Sequence, residues 1–304
     1  MVKVDILMAT YNGAKYIESQ ILSLFAQSYK DWRLIVHDDG SKDDTVEIIK
    51  KYAAIDSRVA VIEDELRFGD AGKNFLHLLQ FSTADYIMFC DQDDIWFDNK
   101  IELQLEAIKK RNNRIPQVVY SNSYVWIANE GIKGLATLTF PKNTNQFLFL
   151  NSGMQGCVAI FNKAMRDVMV SYNGRLAMHD HILHLSGLCL GEVEYIPACL
   201  MLYRNHENNV TGATSTSSTN IRQIVKNSAL PVVDKKHYEA VLDFYTIFKS
   251  KIKAEDKLNI EAYLKMVDTN VVNRLFTIIK SDFQLFNSRF RLMMKLIVRP
   301  YINN

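Results

Sequence analysis

The chain opens with short apolar runs that alternate with segments of helical period, the pattern of repeated strand-helix units building a mainly parallel sheet. Residues 2–10 read as strand and 14–29 as helix, with Ile17, Ile21, Leu24 and Phe25 on one face. That face is expected against the sheet. Residues 32–37 and 58–63 read as further strands around a helix at 43–54, whose start carries Ser41, Asp43, Asp44 and Thr45 as capping and negatively charged side chains. A helix around 72–81 leads into 85–90, an almost unbroken apolar run typical of a strand buried on both faces.

Beyond it, residues 99–111 place Ile101, Leu105 and Ile108 at helical spacing, and 116–127 return to strand character. The pattern then becomes less regular: a turn and strand at 153–161, a helix at 163–172, a strand at 193–203. Residues 211–219 form a Ser/Thr-rich, low-complexity stretch. A linker is therefore expected at 213–219, between a catalytic domain over 1–212 and a helical region over 220–304.

Composition adds limits. A chain of 304 residues, 48% hydrophobic and 23% charged, can bury a sizeable core and is not a disordered polymer. With 36 basic against 34 acidic residues it has no field of the kind nucleic-acid binders show, so no nucleic-acid partner is expected. Cys90, Cys157, Cys189 and Cys199 lie far apart in apolar contexts, which favours buried free thiols in a reducing compartment. The N-terminus lacks a signal peptide's apolar stretch, and no run approaches the ~20 residues of a membrane span. A cytoplasmic protein is expected, with membrane contact at most peripheral.

Ligands of open α/β sheets bind at the carboxyl ends of strands, where loops and helix N-termini meet. Three polar clusters fall at such ends: Thr10-Tyr11-Asn12, Asp38-Asp39-Gly40-Ser41 and Asp91-Gln92-Asp93-Asp94. Consecutive carboxylates repel and desolvate badly, so they need water or a compensating cation. Mg²⁺ or Mn²⁺ supplies that charge and completes its shell with substrate phosphates. An isolated acidic pair is more often a solvated turn, but here a buried strand precedes the run and Ile95-Trp96 follows it.

Ala9-Thr-Tyr-Asn-Gly13, Asp38-Asp-Gly-Ser41, Asp44-Thr45 and Cys90-Asp-Gln-Asp-Asp-Ile-Trp96 resemble the signature of family 2 glycosyltransferases, in the form of the rhamnosyltransferase-like branch that builds bacterial surface polysaccharides. The resemblance covers roughly residues 1 to 212 and implies an α/β GT-A fold, Rossmann-like, with a C-terminal helical extension. It implies that Thr10, Tyr11 and Asn12 line the nucleotide pocket, that Asp39 accepts from the base, and that Lys73 and Asn74 close over base and ribose. Asp91, with Gln92, would contact ribose or donor sugar. Asp93 would bind the metal, and Asp94 would order the turn. Gly156, in Gly153-Met-Gln-Gly-Cys157, and Trp96 fall on the acceptor side, although Trp96 reads more readily as wall or core than as a sugar-stacking platform. Asp180, in Met178-His-Asp-His181, would be the catalytic base; His181 stands where the family usually has an aromatic residue, so His179 and His181 are alternatives. His206 would complete the metal site, with Arg204 as a phosphate partner.

The function so implied is inverting transfer of a sugar, with rhamnose as the leading candidate, from a dTDP- or UDP-linked donor to a hydroxyl of a saccharide or lipid-linked acceptor. A sugar nucleotidyltransferase would need a Gly-rich basic loop after the first strand, and a nicotinamide enzyme a Gly-x-Gly-x-x-Gly there; Thr10-Tyr-Asn-Gly13 is neither. A non-catalytic nucleotide-sugar-binding protein of the same fold is a further alternative. Residues 283–301 mix Phe286, Phe290, Leu292, Met293, Met294, Leu296 and Ile297 with Arg289, Arg291, Lys295 and Arg299. Such a basic amphipathic segment suits an anionic membrane, the catalytic domain, or a second copy in a homodimer.

Overall fold

The computed structural model describes residues 2–150, 154–207 and 229–302. The first half is built as expected from β1 (Val4–Thr10), α1 (Ile17–Phe25), β2 (Trp32–Asp38), α2 (Thr45–Ile55), β3 (Val59–Val61), α3 (Ala71–Leu78) and β4 (Tyr86–Asp91). β1 pairs in parallel with β2 on one side and β4 on the other, and β2 pairs in parallel with β3. The register sets Thr10 beside Asp38 and Ala9 beside Asp91. Three polar clusters distant in sequence therefore end level, at one edge of the sheet.

The chain continues through β5 (Ile95–Trp96), α4 (Lys100–Lys109), β6 (Gln117–Ile127), β7 (Gly131–Leu135), α5 (Thr144–Phe147), β8 (Ala159–Asn162), α6 (Lys163–Ser171), α7 (His179–Leu190) and β9 (Glu192–Arg204). One sheet results, in the order β3-β2-β1-β4-β8-β6-β9-β5, with β7 added to β6. Most of its paired positions are parallel; β8 runs antiparallel to both neighbours, β5 to β9 and β7 to β6. The fold is mixed α/β. At the entry of β1, buried Asp5 accepts both Arg33 Nε and Nη2 at 3.0 Å, and also Ser82 Oγ and the Thr83 and Ala84 amides, so one carboxylate ties β1, β2 and the turn into β4.

The C-terminal region is helical, with α8 (Lys235–Phe248), α9 (Ala254–Lys265), α10 (Val271–Lys280) and α11 (Arg289–Val298). These helices lie against the α/β body. Phe149 sets its ring edge-on to Tyr263 and Phe283, and Thr144 Oγ1 donates to Asp256 at 2.9 Å. Lys253 Nζ reaches the carbonyls of Leu188 (3.2 Å) and Gly191 (2.7 Å), placing a cation at the negative end of α7. The 213–219 linker lies outside the described residues.

One detail of the amphipathic reading is corrected. Leu292, Leu296 and Phe283 are buried, and Lys295 turns inward to donate to Val232 O at 2.8 Å, burial pulling its ammonium down to about 8. Lys295 is therefore not on a basic outer face. The outward surface carries Val272, Phe276 and Ile279 of α10 and Phe290 and Ile297 of α11. Among the described residues, no helix is long and apolar enough to cross a membrane. The four cysteines are free, and all but the half-buried Cys199 are buried.

Candidate functional site

The site begins with a backbone reversal after β1. Asn12 takes φ 47, a left-handed conformation that Asn tolerates because its short amide bonds locally. Its amide N–H donates to Ser41 Oγ, and its Oδ1 accepts from Lys42 N, both at 2.8 Å. Asp38 accepts from Thr10 Oγ1 at 2.8 Å, Gly40 N at 3.0 Å, Ser41 N at 2.7 Å and Ser41 Oγ at 2.6 Å. Asp38 thus orders the turn, and the neighbouring Asp39 faces the cleft, its carboxylate accepting from Phe68 N.

At the end of β4 the acidic run divides its work. Gln92 accepts from Tyr11 N and donates to Tyr11 O, both at 3.0 Å, clasping the first loop to the last. A side chain on Gly13 would stand 2.2 Å from Gln92 Oε1, so glycine is needed for that approach. Asp93 Oδ2 lies 2.8 Å from His206 Nε2, while Asp94 is buried and accepts Arg204 N at 3.0 Å, holding the end of β9 beneath the cleft. Burial pushes the Asp91 carboxyl up to about 7, with the charge of Asp93 adding to it. The thiol of Cys157 lies beside Asp91 and Asp94, and burial keeps it protonated. It is a packed thiol, not a nucleophile.

Asp180 lines the same cleft from the first turn of α7, where the helix dipole favours an anion. Burial raises its carboxyl to about 6, against amides of His181 and Gly156 that favour the charged form. Its neighbours are poor bases. Burial holds His179 down to about 3, its ring packed 4.2 Å from Phe75 and 4.8 Å from Phe89, and among the described residues neither ring nitrogen has a hydrogen-bond partner. His181 points away from the cleft onto Phe147 and His237, at 5.1 and 4.8 Å. Gly156 lets His179 come close: a Cβ there would meet Nε2 at 2.4 Å.

These elements enclose a cleft of about 950 Å³. Thr10, Tyr11, Asn12, Asp39, Asn74, Asp91, Gln92, Asp93, Gly156, Asp180 and His206 all line it. Three candidates do not. Lys73 faces a neighbouring hollow with His77 and Gln80. Trp96 is only 2% exposed, because pairing of β5 with β9 turns it inward over Lys100, so it is wall and not an acceptor platform. Arg204 sits behind Asp93, with Nε donating to the Asp93 carbonyl at 2.6 Å and the guanidinium between Tyr16 and Trp126, 4.9 and 4.3 Å from their ring centres.

Sequence reasoning missed Tyr16 and Arg67. Tyr16 stacks on His206 with centres 4.6 Å apart and so orients the imidazole; an aromatic one turn after Asn12, at the entry of α1, was the available signal. Arg67 lines the cleft from the segment between β3 and α3, where no hydrophobic period marks any position.

Comparison with known proteins agrees with this geometry. A family model described as glycosyl transferase family 2 matches residues 5–169. The dTDP-rhamnosyl transferase RfbG of Shigella flexneri is 30% identical over 243 residues, covering 76% of this chain and 80% of that protein. The UDP-Glc:alpha-D-GlcNAc-diphosphoundecaprenol beta-1,3-glucosyltransferase WfgD of Escherichia coli is 34% identical over 157 residues, 52% of this chain and 58% of that one. In structure the chain is similar to S. aureus TarS 1-349 in complex with UDP (TM-score 0.58, 15% identity, covering 89% of this chain and 73% of that one). It is likewise similar to the mannosyltransferase PcManGT of Pyrobaculum calidifontis in complex with GDP-Man and Mn2+ (TM-score 0.56, 13% identity, 91% and 75%). Nucleotidyl transfer and nicotinamide chemistry fall away: on motif order, sheet register and similarity over more than half its length, the chain belongs to glycosyl transferase family 2.

Proposed function

We propose that the chain is a metal-dependent enzyme that moves rhamnose from dTDP-rhamnose to a hydroxyl of a saccharide or lipid-linked acceptor in surface polysaccharide synthesis, with inversion at the anomeric carbon. One observation carries the metal dependence. Among the described residues the cleft is lined by five carboxylates, Asp39, Asp70, Asp91, Asp93 and Asp180, against the single guanidinium of Arg67. A diphosphate entering that field needs a cation. Asp93 and His206, already 2.8 Å apart and facing the cleft, offer the oxygen and nitrogen donors that Mn²⁺ accepts, and Mg²⁺ fits the carboxylate.

When bound, such an ion would supply Lewis-acid stabilisation of the departing diphosphate. The chain's own residues do the rest. The Asn12 and Asp38 turns fix the nucleotide side, Asp39 accepts from the pyrimidine ring, and Asp91 meets ribose or donor sugar. Asp180, across the cleft, takes the proton of the attacking hydroxyl. The choice of dTDP-rhamnose follows the relative RfbG; UDP-hexose is the competitor, because an acceptor at Asp39 pairs with uracil and thymine alike. Thermal shift with nucleoside diphosphates and Mn²⁺ tests the donor. At hundredfold saturation binding adds about 2.7 kcal/mol, or roughly 5 °C in a chain of this size. The shift is expected with dTDP plus Mn²⁺; a larger shift with UDP reassigns the donor, and none with either overturns the reading.

The same reading has the protein work in the cytoplasm with peripheral membrane contact through α10 and α11; it is supported by the exposed Val272, Phe276 and Ile279 of α10 and the exposed Phe290 and Ile297 of α11, the helix that also carries Arg289 and Arg291. Apolar side chains beside basic ones suit an anionic bilayer surface, where a lipid-linked acceptor would reside. Replacing Phe276 and Phe290 with Ser leaves the buried core intact. The variant is expected to co-sediment several-fold less with anionic vesicles; equal binding would remove the membrane role and leave a homodimer contact for this face.

A further inference from the structure

Among the described residues, a group of side chains able to ligate a metal lies outside the cleft. His37 is the last but one residue of β2, Asp64 follows β3 and His77 sits on α3, and one ligand atom from each falls within 4.8 Å of the others. His37 Nε2 is 3.0 Å from Asp64 Oδ1, and His77 Nε2 is 2.8 Å from Asp64 Oδ2. The two rings stand edge to face, 4.9 Å apart, flanked by Phe68 and Phe81.

The tautomer of His37 follows from its neighbour. Asn74 Nδ2 donates to the His37 carbonyl at 3.3 Å, which turns Asn74 Oδ1 to His37 Nδ1 at 2.7 Å. The amide orientation is assigned from this network, and an amide oxygen can only accept, so Nδ1 carries a proton. A neutral His37 then presents the lone pair of Nε2 to a carboxylate. Two acceptors at 3.0 Å repel, so this contact needs a cation, either a metal ion or a second ring proton, between them. The ring is a fully buried position, at 0% exposure, with both nitrogens already directed by side chains. It is a well-prepared place for a metal ligand, whose other ring nitrogen is commonly held by a second polar partner.

We infer that His37 Nε2, the Asp64 carboxylate and His77 Nε2 form a three-ligand site for Zn²⁺, separate from the diphosphate cleft. Two imidazoles and a carboxylate suit that ion, at bond lengths near 2.0–2.2 Å, with water as fourth ligand. Those lengths set tetrahedral ligands about 3.3 Å apart. The two carboxylate contacts, made to different oxygens of Asp64, reach that by opening a few tenths of an ångström, and the three ligand atoms, all within 4.8 Å of one another, close on an ion by rotation of the partly exposed Asp64 side chain.

The position gives the site a purpose. Asp64 begins the strap that carries Arg67 and Gly69 into the cleft, and Phe68 N of the same strap holds Asp39. An ion on Asp64 would pin that strap to β2 and α3, behind the nucleotide's base.

The test uses full-length His206→Ala protein, so that the cleft pair contributes nothing, titrated with Zn²⁺ alone against a chromophoric chelator. One equivalent is expected to bind. Adding His77→Gln, or Asp64→Asn as an independent variant, is expected to weaken Zn²⁺ at least a hundredfold with the circular dichroism spectrum unchanged. Co²⁺ in the same protein is expected to show visible bands of a four-coordinate site that vanish in both double variants. Absence of binding in His206→Ala protein, or undiminished binding in either double variant, would overturn the inference and leave His37 a buried ion-pair partner of Asp64.

Discussion

Asp180→Asn is expected to lower kcat by a factor of about 10³, within the 10²–10⁴ that a positioned base contributes, while the affinity for nucleoside diphosphate with Mn²⁺ stays within twofold. Asn keeps the shape and the bonds from the Gly156 and His181 amides but cannot take the hydroxyl proton. A merely structural role predicts lost stability, and here the sign runs the other way. The Asp180 carboxyl rises from 3.8 in the unfolded chain to about 6, by burial. The stability it contributes as an acid is full below 3.8 and is lost as pH rises through about 6. At pH 7 the wild type buries an anion that the amide does not, so Asp180→Asn protein should melt at or above the wild-type temperature. The same value sets the pH profile. With the base protonated below about 6, kcat/KM should fall tenfold per pH unit on the acid side and level off above it. An active Asn variant, or an acid limb near 4, would remove Asp180 as the base.

The second large effect is at Asp93 and His206. Asp93→Asn is expected to reduce kcat/KM by at least 10³, mainly through loss of the ion that offsets the cleft's carboxylates. His206→Ala should cost about 10- to 100-fold and move the Mn²⁺ requirement to higher concentration, because one nitrogen donor and its stacking on Tyr16 are lost. Removing metal from the wild type with a chelator should reproduce the Asp93→Asn phenotype, and readdition should rescue only the wild type. Steady-state rates across a Mn²⁺ titration distinguish these cases; a metal-independent wild type would contradict both.

Much of this was legible in the chain because α/β units announce themselves locally. Runs such as 85–90 are apolar enough to be strands buried on both faces, and polar clusters that follow strands lie at one edge once the sheet is parallel. The register of Thr10 with Asp38 and Ala9 with Asp91 turns that expectation into geometry. Elements without a period were invisible. α7 buries ten residues, around its whole circumference, so it shows no amphipathic stripe although it carries Asp180. β7 is exposed along its whole length, and β5 has two residues. Side-chain direction was equally out of reach. Trp96 and Lys73 have the right chemistry at the right places in sequence, but pairing of β5 with β9 and the phase of α3 turn them elsewhere. Gln92 was placed with the donor by its neighbours, and its amide is spent on the Tyr11 backbone. Nor does a sequence show that Tyr16 lies under His206, or that five carboxylates share one cleft with Arg67.

The most direct measurement is anomalous diffraction from crystals of the wild-type protein soaked with Mn²⁺ and dTDP. A single manganese peak is expected in contact with Asp93 and His206, at roughly 2.0–2.2 Å from the ligand atoms, with the diphosphate on its open side and Asp180 across the cleft. A diphosphate bound with no ion, or a manganese peak away from Asp93, would contradict the assignment of this cleft.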